Sequence, residues 1–279
     1  MSSMIETGRR ADGARSGAHA GKMCCALLAA ALVAGSTGSA AAADALSKGA
    51  QNYKPYIVEH IGIALAGAEE LQAAVKAGDA KAAQTAWIKS RKGWEAMEPV
   101  TAEYFGDLDK VIDAWPDAKH GYHAIEAALF AGKLEGLDKP VNELIGNLDK
   151  FEARVSAKSF KFTPQGLLNG IAKLSYEVGE EKSKGGESPY AGTSIVDMRE
   201  NVEGIEVVYK LVFADALKKA DPELAGFVHD RIAKLERLVQ AKDIKSLDQK
   251  AVHVTGEELA VLLQSAAPKL KLKKPAVGD

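Results

Sequence analysis

Apolar residues recur from about residue 45 onward at the three- and four-residue intervals of amphipathic helices. No stretch alternates apolar and polar residues as a half-buried strand does. The pattern therefore predicts an all-α protein, built as two four-helix-type bundles side by side. The predicted helices span 45–77, 79–97, a segment through His123 to Gly132, 140–157, 163–182, 194–219, 221–242 and 255–267.

Capping residues mark several of the boundaries between these helices. Asp79 and Thr163 are typical N-caps, and Pro164 suits a first helical position because that position needs no amide donor. Residues 100–119 are expected to form a looser, acidic segment. The Gly- and Ser-rich residues 184–193 are expected to form a loop.

The first 43 residues are predicted to be a signal peptide. Basic residues precede an apolar stretch over residues 23–33, which is too short to span a membrane. Ala41-Ala42-Ala43 then forms an A-x-A cleavage site before Asp44. Residues 44–279 are therefore expected to form the mature domain, located in the periplasm.

Cysteine content and charge narrow the classes of function. Cys24 and Cys25 are the two cysteines, and both fall in the predicted leader, so the mature domain has no disulfide, thiolate zinc site or cysteine nucleophile. Removing the leader's four basic and two acidic residues from the totals of 36 and 38 leaves 32 and 36. This mild acidity argues against nucleic acid as a partner, since nucleic-acid binders normally carry a basic footprint.

The segment from Gly121 to Glu126 has the pattern G-x-H-x-x-E within a helical stretch. Residues three apart share a helical face, so His123 and Glu126 can direct an imidazole and a carboxylate to the same point. Such a pair suits a metal ion. This spacing is common by chance, however, and a lone histidine is more often structural than a ligand. The motif therefore needs acidic neighbours before it indicates a site.

Acidic neighbours lie just upstream of the motif. Glu95 and Glu98 share a helical face beside the bulky Trp94 and Met97. Partly buried carboxylates need a cation, a hydrogen bond or a proton. Two solvated glutamates at a helix end are the alternative. Asp109 ends the run Gly-Asp-Leu-Asp, where it serves either as a turn or cap residue or as a ligand.

Further acidic residues lie on two later helices, among them Glu177 and Asp197. Amphipathic helices usually expose such residues to water. Facing helices of a bundle also build metal sites from Glu and His side chains. One of these acids is therefore a candidate to complete the His123 site from the opposite helix.

These motifs, in this order, resemble the imelysin-like domain of the EfeO/EfeM periplasmic iron-uptake proteins. The resemblance covers nearly the whole mature chain, which is similar to the short EfeM form without a cupredoxin domain. The segment before Asp197 departs from the family pattern, since it lacks the His and Trp often found there. The resembling segments are 94–100, 105–109, 121–126, Thr163-Pro164, Glu177-Val178 and 197–204.

The resemblance implies an imelysin-like helical bundle with a metal site between helices. The ligands that it implies are Glu95, Glu98, Asp109, His123, Glu126 and Glu177, with Asp107 as an adjacent alternative. Carboxylate and imidazole ligands suit iron and also accept zinc, manganese or calcium. The implied function is that of a binding protein rather than an enzyme, which captures iron and delivers it to an inner-membrane iron permease.

Two other functions stay open on the sequence. A short EfeM-like relative binds alginate, so cation-dependent binding of an acidic polysaccharide is one alternative, and its candidate lining residues are Tyr53, Tyr56, Trp87 and Trp115. Helix packing is the competing role for these aromatic residues. Metallopeptidase activity is the other alternative, because imelysin-like proteins have been classed as peptidases. The chain lacks the H-E-x-x-H motif that would support it.

Overall fold

The computed structural model of the chain describes residues 42–113 and 119–278. These residues are mostly helical, and none of them lies in a β-strand. Within the same ranges, no helix is both long and apolar enough to cross a bilayer. The predicted leader falls almost entirely outside the described residues, so it stays a prediction.

The helices follow one another with short connections. Three short segments of other helical types interrupt or join them, namely 3₁₀ turns at Lys182–Lys184 and Ile244–Ser246 and a π-helix at Tyr209–Phe213. The α-helices are α1 (42–52), α2 (Lys54–Ala77), α3 (Ala80–Ala96), α4 (Glu98–Ile112), α5 (Gly121–Phe130), α6 (Asp138–Ser156), α7 (Pro164–Glu180), α8 (Ser194–Val208), α9 (Ala214–Ala220), α10 (Pro222–Leu238) and α11 (Gln249–Lys269).

Eight of these helices form two groups of four. In the first group, α2 and α5 each pack against both α3 and α6. In the second group, α7 and α10 each pack against both α8 and α11. The groups meet where α3 packs on α8 and where α4 touches α6, α7 and α8. The predicted all-α fold of two four-helix bundles is therefore confirmed, with α4 lying between the bundles.

Local sequence signals account for several helix starts. The Asp79 side chain accepts a hydrogen bond from the amide of Ala82 at 2.9 Å. Thr163 does the same for Gly166 at 3.1 Å. Each side chain satisfies an amide that has no partner within its helix, as an N-cap does. Both predicted caps are confirmed.

The expected loose segment over 100–119 is wrong for the part that the structure describes. Pro99 lies in the first turn of α4, where its missing amide costs no hydrogen bond, so it begins a helix instead of ending the previous one. Phe105 has non-helical backbone angles and kinks α4, and its ring packs against Phe151 with centroids 4.4 Å apart. The aspartates of this segment are consequently fixed on a helix.

Three other predicted boundaries differ from the structure. The predicted helix 45–77 is broken at Tyr53, before Pro55. The predicted helix 194–219 contains the π-helical turn, where the regular hydrogen-bond ladder changes. The last helix starts six residues before Thr255, because Asp248 caps it by accepting from the amide of Ala251 at 3.0 Å.

The aromatic residues considered for polysaccharide binding are mostly structural. Tyr53 and Trp87 are fully buried, and Tyr56 is partly buried and stacks on Tyr53 with ring centroids 5.5 Å apart. Trp115 lies outside the described residues. The packing role weighed for these aromatics fits the three that the structure describes.

Candidate metal centre

A buried arginine lies where the two bundles meet. The Arg91 side chain is 1% exposed, and its Nη2 atom lies 2.5 Å from Glu95 Oε1 and 3.2 Å from Glu187 Oε2. Its Nη1 donates to Asp113 Oδ1, and its Nε lies 3.8 Å from Asp197 Oδ2. One guanidinium therefore gathers four carboxylates from α3, the end of α4, the loop before α8, and α8.

A buried lysine completes the arrangement. Lys182 Nζ lies 2.8 Å from Glu98 Oε2, 3.1 Å from Glu187 Oε2 and 3.8 Å from Glu95 Oε2. Its side chain is 6% exposed, and the residue begins the 3₁₀ turn after α7. The turn carries the ammonium group back between the glutamates of α3 and α4.

These residues form a cluster with more acids than bases, which we call the acidic centre. Its five carboxyl groups face two cations, so full ionisation leaves an excess of negative charge in a buried place. Such an excess favours either bound protons or a further cation. The members of the acidic centre are Arg91, Glu95, Glu98, Asp113, Lys182, Glu187 and Asp197.

The glycine of the G-x-H-x-x-E motif has a backbone role. Gly121 has a φ of 71°, in the left-handed region that favours glycine, and a Cβ added there would lie 2.0 Å from the carbonyl oxygen of Ile112. The absence of a side chain lets α5 begin directly against the end of α4. His123 consequently reaches Asp113, the residue after α4, with 3.1 Å between Nε2 and Oδ1.

The histidine and glutamate of the motif contact each other. His123 Nδ1 lies 3.3 Å from Glu126 Oε2. The other oxygen of Glu126 accepts hydrogen bonds from the amides of Tyr190 and Ala191, both at 2.9 Å. Glu126 is fully buried and holds the loop that carries Glu187 into the acidic centre.

Three members of the acidic centre have the spacing of metal ligands. Glu95, Glu98 and Asp113 each offer one carboxylate oxygen, and these three atoms lie within 4.8 Å of one another. The Oε1 atom of Glu95 and the Oε2 atom of Glu98 are buried without an aligned hydrogen bond, although Arg91 and Lys182 lie close by. Buried oxygens of this kind fit a cation that prefers oxygen ligands.

Neighbouring donors fix the other oxygens of two of these carboxylates. Asn201 Nδ2 donates to Glu95 Oε2 at 2.8 Å. The indole of Trp94 donates to Asp113 Oδ2 at 3.0 Å. Both carboxylates are therefore oriented, which is the usual role of the groups that surround metal ligands.

Burial perturbs the pKa values of the acidic centre. Burial raises the pKa of Glu95 well above its ordinary value, despite Arg91, and raises the pKa of Glu98 to about 8, despite Lys182. Burial also raises the pKa of Asp197 to about 6. At Asp113, burial is outweighed by Arg91 and the hydrogen bond from His123, which hold its pKa well below its usual range. The cluster thus combines an aspartate whose pKa is held low with a glutamate, Glu98, whose pKa of about 8 lies above neutrality.

The structure brings four of the six sequence-predicted ligands together. Glu95 and Glu98 belong to the acidic centre, while His123 and Glu126 adjoin it through Asp113 and the loop. Glu177 lines a surface cleft of about 120 Å³ together with Glu98, and it lies 3.3 Å from Lys173.

The two aspartates of the Gly-Asp-Leu-Asp run differ in environment. Asp109 is partly buried on α4, and burial raises its pKa to about 6. Asp107 is exposed, and both of its oxygens accept from Arg154 Nη1 at 2.7 Å. Of the two, Asp109 has the environment closer to that of a ligand.

Sequence reasoning missed four members of the acidic centre, namely Arg91, Asp113, Lys182 and Glu187. Arg91 precedes Glu95 by four residues, a spacing typical of a helical ion pair, and this signal was available. Asp113 falls within residues 100–119, the segment that the sequence predicts to be loose. Lys182 and Glu187 flank a turn, and nothing in their local pattern separates them from solvated loop residues.

Comparison with known proteins agrees with the helical fold and with the family resemblance. The imelysin family, peptidase M75, matches residues 50–271. The chain is 33% identical over 205 residues to an EfeM/EfeO family lipoprotein of Staphylococcus haemolyticus strain JCSC1435. The aligned residues cover 70% of each protein. The chain is also 32% identical over 197 residues to the iron uptake system component EfeO of Escherichia coli strain K12. These aligned residues cover 67% of this chain and 52% of that protein. The chain thus spans about half the length of the EfeO relatives that it matches.

Proposed function

We propose that this chain, which belongs to the imelysin family and to its EfeM/EfeO group, binds an iron ion at the acidic centre and serves iron uptake. The observation that carries the proposal is the set of three carboxylate oxygens from Glu95, Glu98 and Asp113, within 4.8 Å of one another in a buried cluster with excess acid. The name of the EfeO relatives, iron uptake system component, supports iron as the cargo.

The proposed ligands are mainly hard oxygen donors. Glu95, Glu98 and Asp113 would supply carboxylate oxygens, and His123 is the nearest nitrogen donor because its Nε2 atom faces Asp113. Carboxylates suit Fe³⁺, while an imidazole extends the set toward Fe²⁺ and Zn²⁺. Glu126 would act through the loop and through the orientation of His123.

Lys182 would serve as the counter-ion of the empty site. Its ammonium group contacts Glu95 and Glu98, two of the proposed ligands, so it would offset part of the negative charge of the centre when no ion is bound. An arriving cation competes for the same oxygens, and Lys182 would withdraw along the turn that carries it. The site would therefore be stable without cargo and able to release it, as delivery to a membrane permease requires.

The location and the receiving partner belong to the same proposal. The leader-like pattern of the first 43 residues and the lipoprotein name of the staphylococcal relatives support an extracytoplasmic protein, and we place it in the periplasm. An inner-membrane iron permease is the proposed recipient. The cleft lined by Glu98 and Glu177 would be the route by which the ion enters and leaves.

Calorimetric titration with Fe²⁺ under anaerobic conditions and with chelated Fe³⁺ tests the proposal. We expect Glu95→Gln and Glu98→Gln each to weaken binding by about 100-fold, or ~2.7 kcal/mol. Glu103→Gln is the matched control, because Glu103 lines the same cleft but lies outside the acidic centre. Equal affinity in all the variants would exclude this site.

Two further assays separate the alternative functions. The same preparations are titrated with alginate oligosaccharide, and they are incubated with a fluorogenic peptide in the presence of Zn²⁺. Saccharide binding that depends on Glu95 would identify a cation-bridged polysaccharide site. Peptide cleavage that is lost in Glu95→Gln would identify a metallopeptidase. We expect neither activity.

A further inference from the structure

A second group of metal-ligating side chains lies on the face where α7 packs against α11. Glu180 is the last residue of α7, and His253 and Glu257 are four residues apart on α11. His253 Nδ1 lies 3.4 Å from Glu180 Oε1, and its Nε2 lies 3.5 Å from Glu257 Oε2. One ligand atom from each residue lies within 4.8 Å of the other two.

The backbone beneath this triad is held firmly. A Cβ added at Gly256 would lie 2.5 Å from the carbonyl oxygen of Ser175 and 3.0 Å from the Cα of Gly179. The two helices can approach so closely only because both contact residues are glycines. Glu180 and Glu257 each follow one of these glycines directly, so the contact fixes where their side chains begin.

We propose that Glu180, His253 and Glu257 form a second metal site, which binds a divalent transition-metal ion such as Zn²⁺. One imidazole nitrogen and two carboxylate oxygens make a three-ligand set of the kind that leaves a fourth position for water. This site goes beyond the proposed iron centre and shares no residue with it.

The distances suit such an ion after small side-chain rotations. Tetrahedral zinc with bonds of about 2.0–2.2 Å places neighbouring ligand atoms about 3.3–3.6 Å apart. The two distances from His253 to its carboxylates already fall in this range. They involve opposite ring nitrogens, so one carboxylate has to turn toward the nitrogen that binds. All three side chains are partly exposed, which leaves room for that rotation.

The ligand chemistry separates this site from the acidic centre. The acidic centre is buried and dominated by carboxylates, whereas the α7–α11 triad is open and contains an imidazole. Imidazole nitrogen favours zinc and other late divalent metals over calcium and magnesium. Zn²⁺ is therefore the probe for the triad, and Glu95→Gln separates its binding there from any binding at the acidic centre.

The test is a Zn²⁺ titration of the whole chain, which is monitored by calorimetry and by the NMR signals of the histidine rings. His253→Gln removes the nitrogen ligand, and Glu180→Gln/Glu257→Gln keeps the ring but removes both carboxylates. His229→Gln is the matched control, since His229 is an exposed histidine beside Asp230 on the neighbouring helix α10.

We expect Zn²⁺ to shift the His253 ring signals, and both triad variants to lose one binding event or to weaken it at least tenfold. The control should keep it. The same event should persist in Glu95→Gln, which alters only the acidic centre. Unchanged stoichiometry and affinity in His253→Gln, or ring shifts confined to His123, would overturn the proposal.

Discussion

Lys182 Nζ lies 2.8 Å from Glu98 Oε2, within the group of carboxylates that offers ligand atoms to a metal. The same ammonium also contacts Glu95 and Glu187. A built-in cation therefore occupies the place that the cargo is proposed to take, and competition between the two follows from electrostatics.

Lys182→Met is expected to tighten iron binding by about tenfold or more, equivalent to ~1.4 kcal/mol. The ion then no longer displaces a bound ammonium, and the remaining carboxylates attract it more strongly. Calorimetric titration measures the change. Lys184→Met is the control, because Lys184 lies two residues away with its side chain 70% exposed. Weaker binding in Lys182→Met would mean that the lysine supports the ion instead of competing with it.

Arg91→Met is expected to destabilise the metal-free protein by about 3–5 kcal/mol, because it leaves several buried carboxylates without their shared partner. Urea unfolding measures this free energy. Lys92→Met is the neighbouring control, since Lys92 forms a partly exposed pair with Glu200 and should cost about 1 kcal/mol or less. Equal losses in the two variants would contradict the central position given to Arg91.

Iron binding is expected to release protons near neutral pH. Burial raises the pKa of Glu98 from 4.5 to about 8, so at pH 7 the metal-free site holds a proton that the ion displaces. Affinity should therefore rise as the pH increases toward 8. Calorimetry in two buffers of different ionisation enthalpy counts the protons, and Glu98→Gln should reduce the count.

The same pKa shift determines how the stability of the metal-free protein changes with pH. A folded-state pKa above the unfolded value means that the native state binds more protons between pH 4.5 and about 8. Glu98 therefore stabilises the metal-free fold at the acid end of this window, and the contribution is lost as the pH rises through 8. Because Gln does not titrate, Glu98→Gln should lack this loss of stability between pH 4.5 and about 8. A loss as large in Glu98→Gln as in the parent protein would be inconsistent with a buried, protonated Glu98.

Glu126→Ala is expected to free the loop that Glu126 holds through Tyr190 and Ala191. Two amides in partly buried hydrogen bonds lose their acceptor, which costs about 1–3 kcal/mol and should speed hydrogen exchange at both positions. Glu126→Gln keeps one acceptor oxygen and should retain most of the protection. If Glu126→Gln keeps the loop but abolishes iron binding, Glu126 acts on the ion directly or through His123, and its effect does not depend on the loop.

Gly170→Ala is expected to disturb the contact between α7 and α4. A Cβ at this position would lie 1.7 Å from the carbonyl oxygen of Pro99, the residue after Glu98. Overpacking of this kind costs about 1–3 kcal/mol, and the shift of Glu98 should weaken iron binding. Gly146→Ala is the control, because no other group lies within 4 Å of its added Cβ and α6 should gain stability. Thermal unfolding compares the two.

Much of the fold was available from local sequence signals. The N-caps at Asp79 and Thr163 and the helical apolar spacing depend on residues within one turn of each other, and both appear in the structure as predicted. The errors arose where two signals competed. Pro99 suits both the end of one helix and the first turn of the next, while Pro55 lies inside a stretch whose apolar spacing predicts one continuous helix over 45–77.

The candidate site was less accessible to sequence reasoning. Glu95 with Glu98, and His123 with Glu126, are predicted from three-residue spacings that are visible in the sequence, although the structure places Glu95 on α3 and Glu98 on α4. Arg91 and Lys182 decide the charge of the same site, yet they are 91 residues apart and meet only when the two bundles pack. Sequence periodicity reports which face of a helix is buried, but not which buried face will receive a charge from elsewhere in the chain.

The acidic centre is assembled from the seam between the bundles. Its acids come from α3 and the ends of α4 in the first half of the chain, and from the loop and helix α8 in the second half. Neither half alone contains the whole acidic centre, so any separation of the bundles also takes the acidic centre apart. For the iron site proposed here, moving the two halves apart would therefore be enough to release the bound ion.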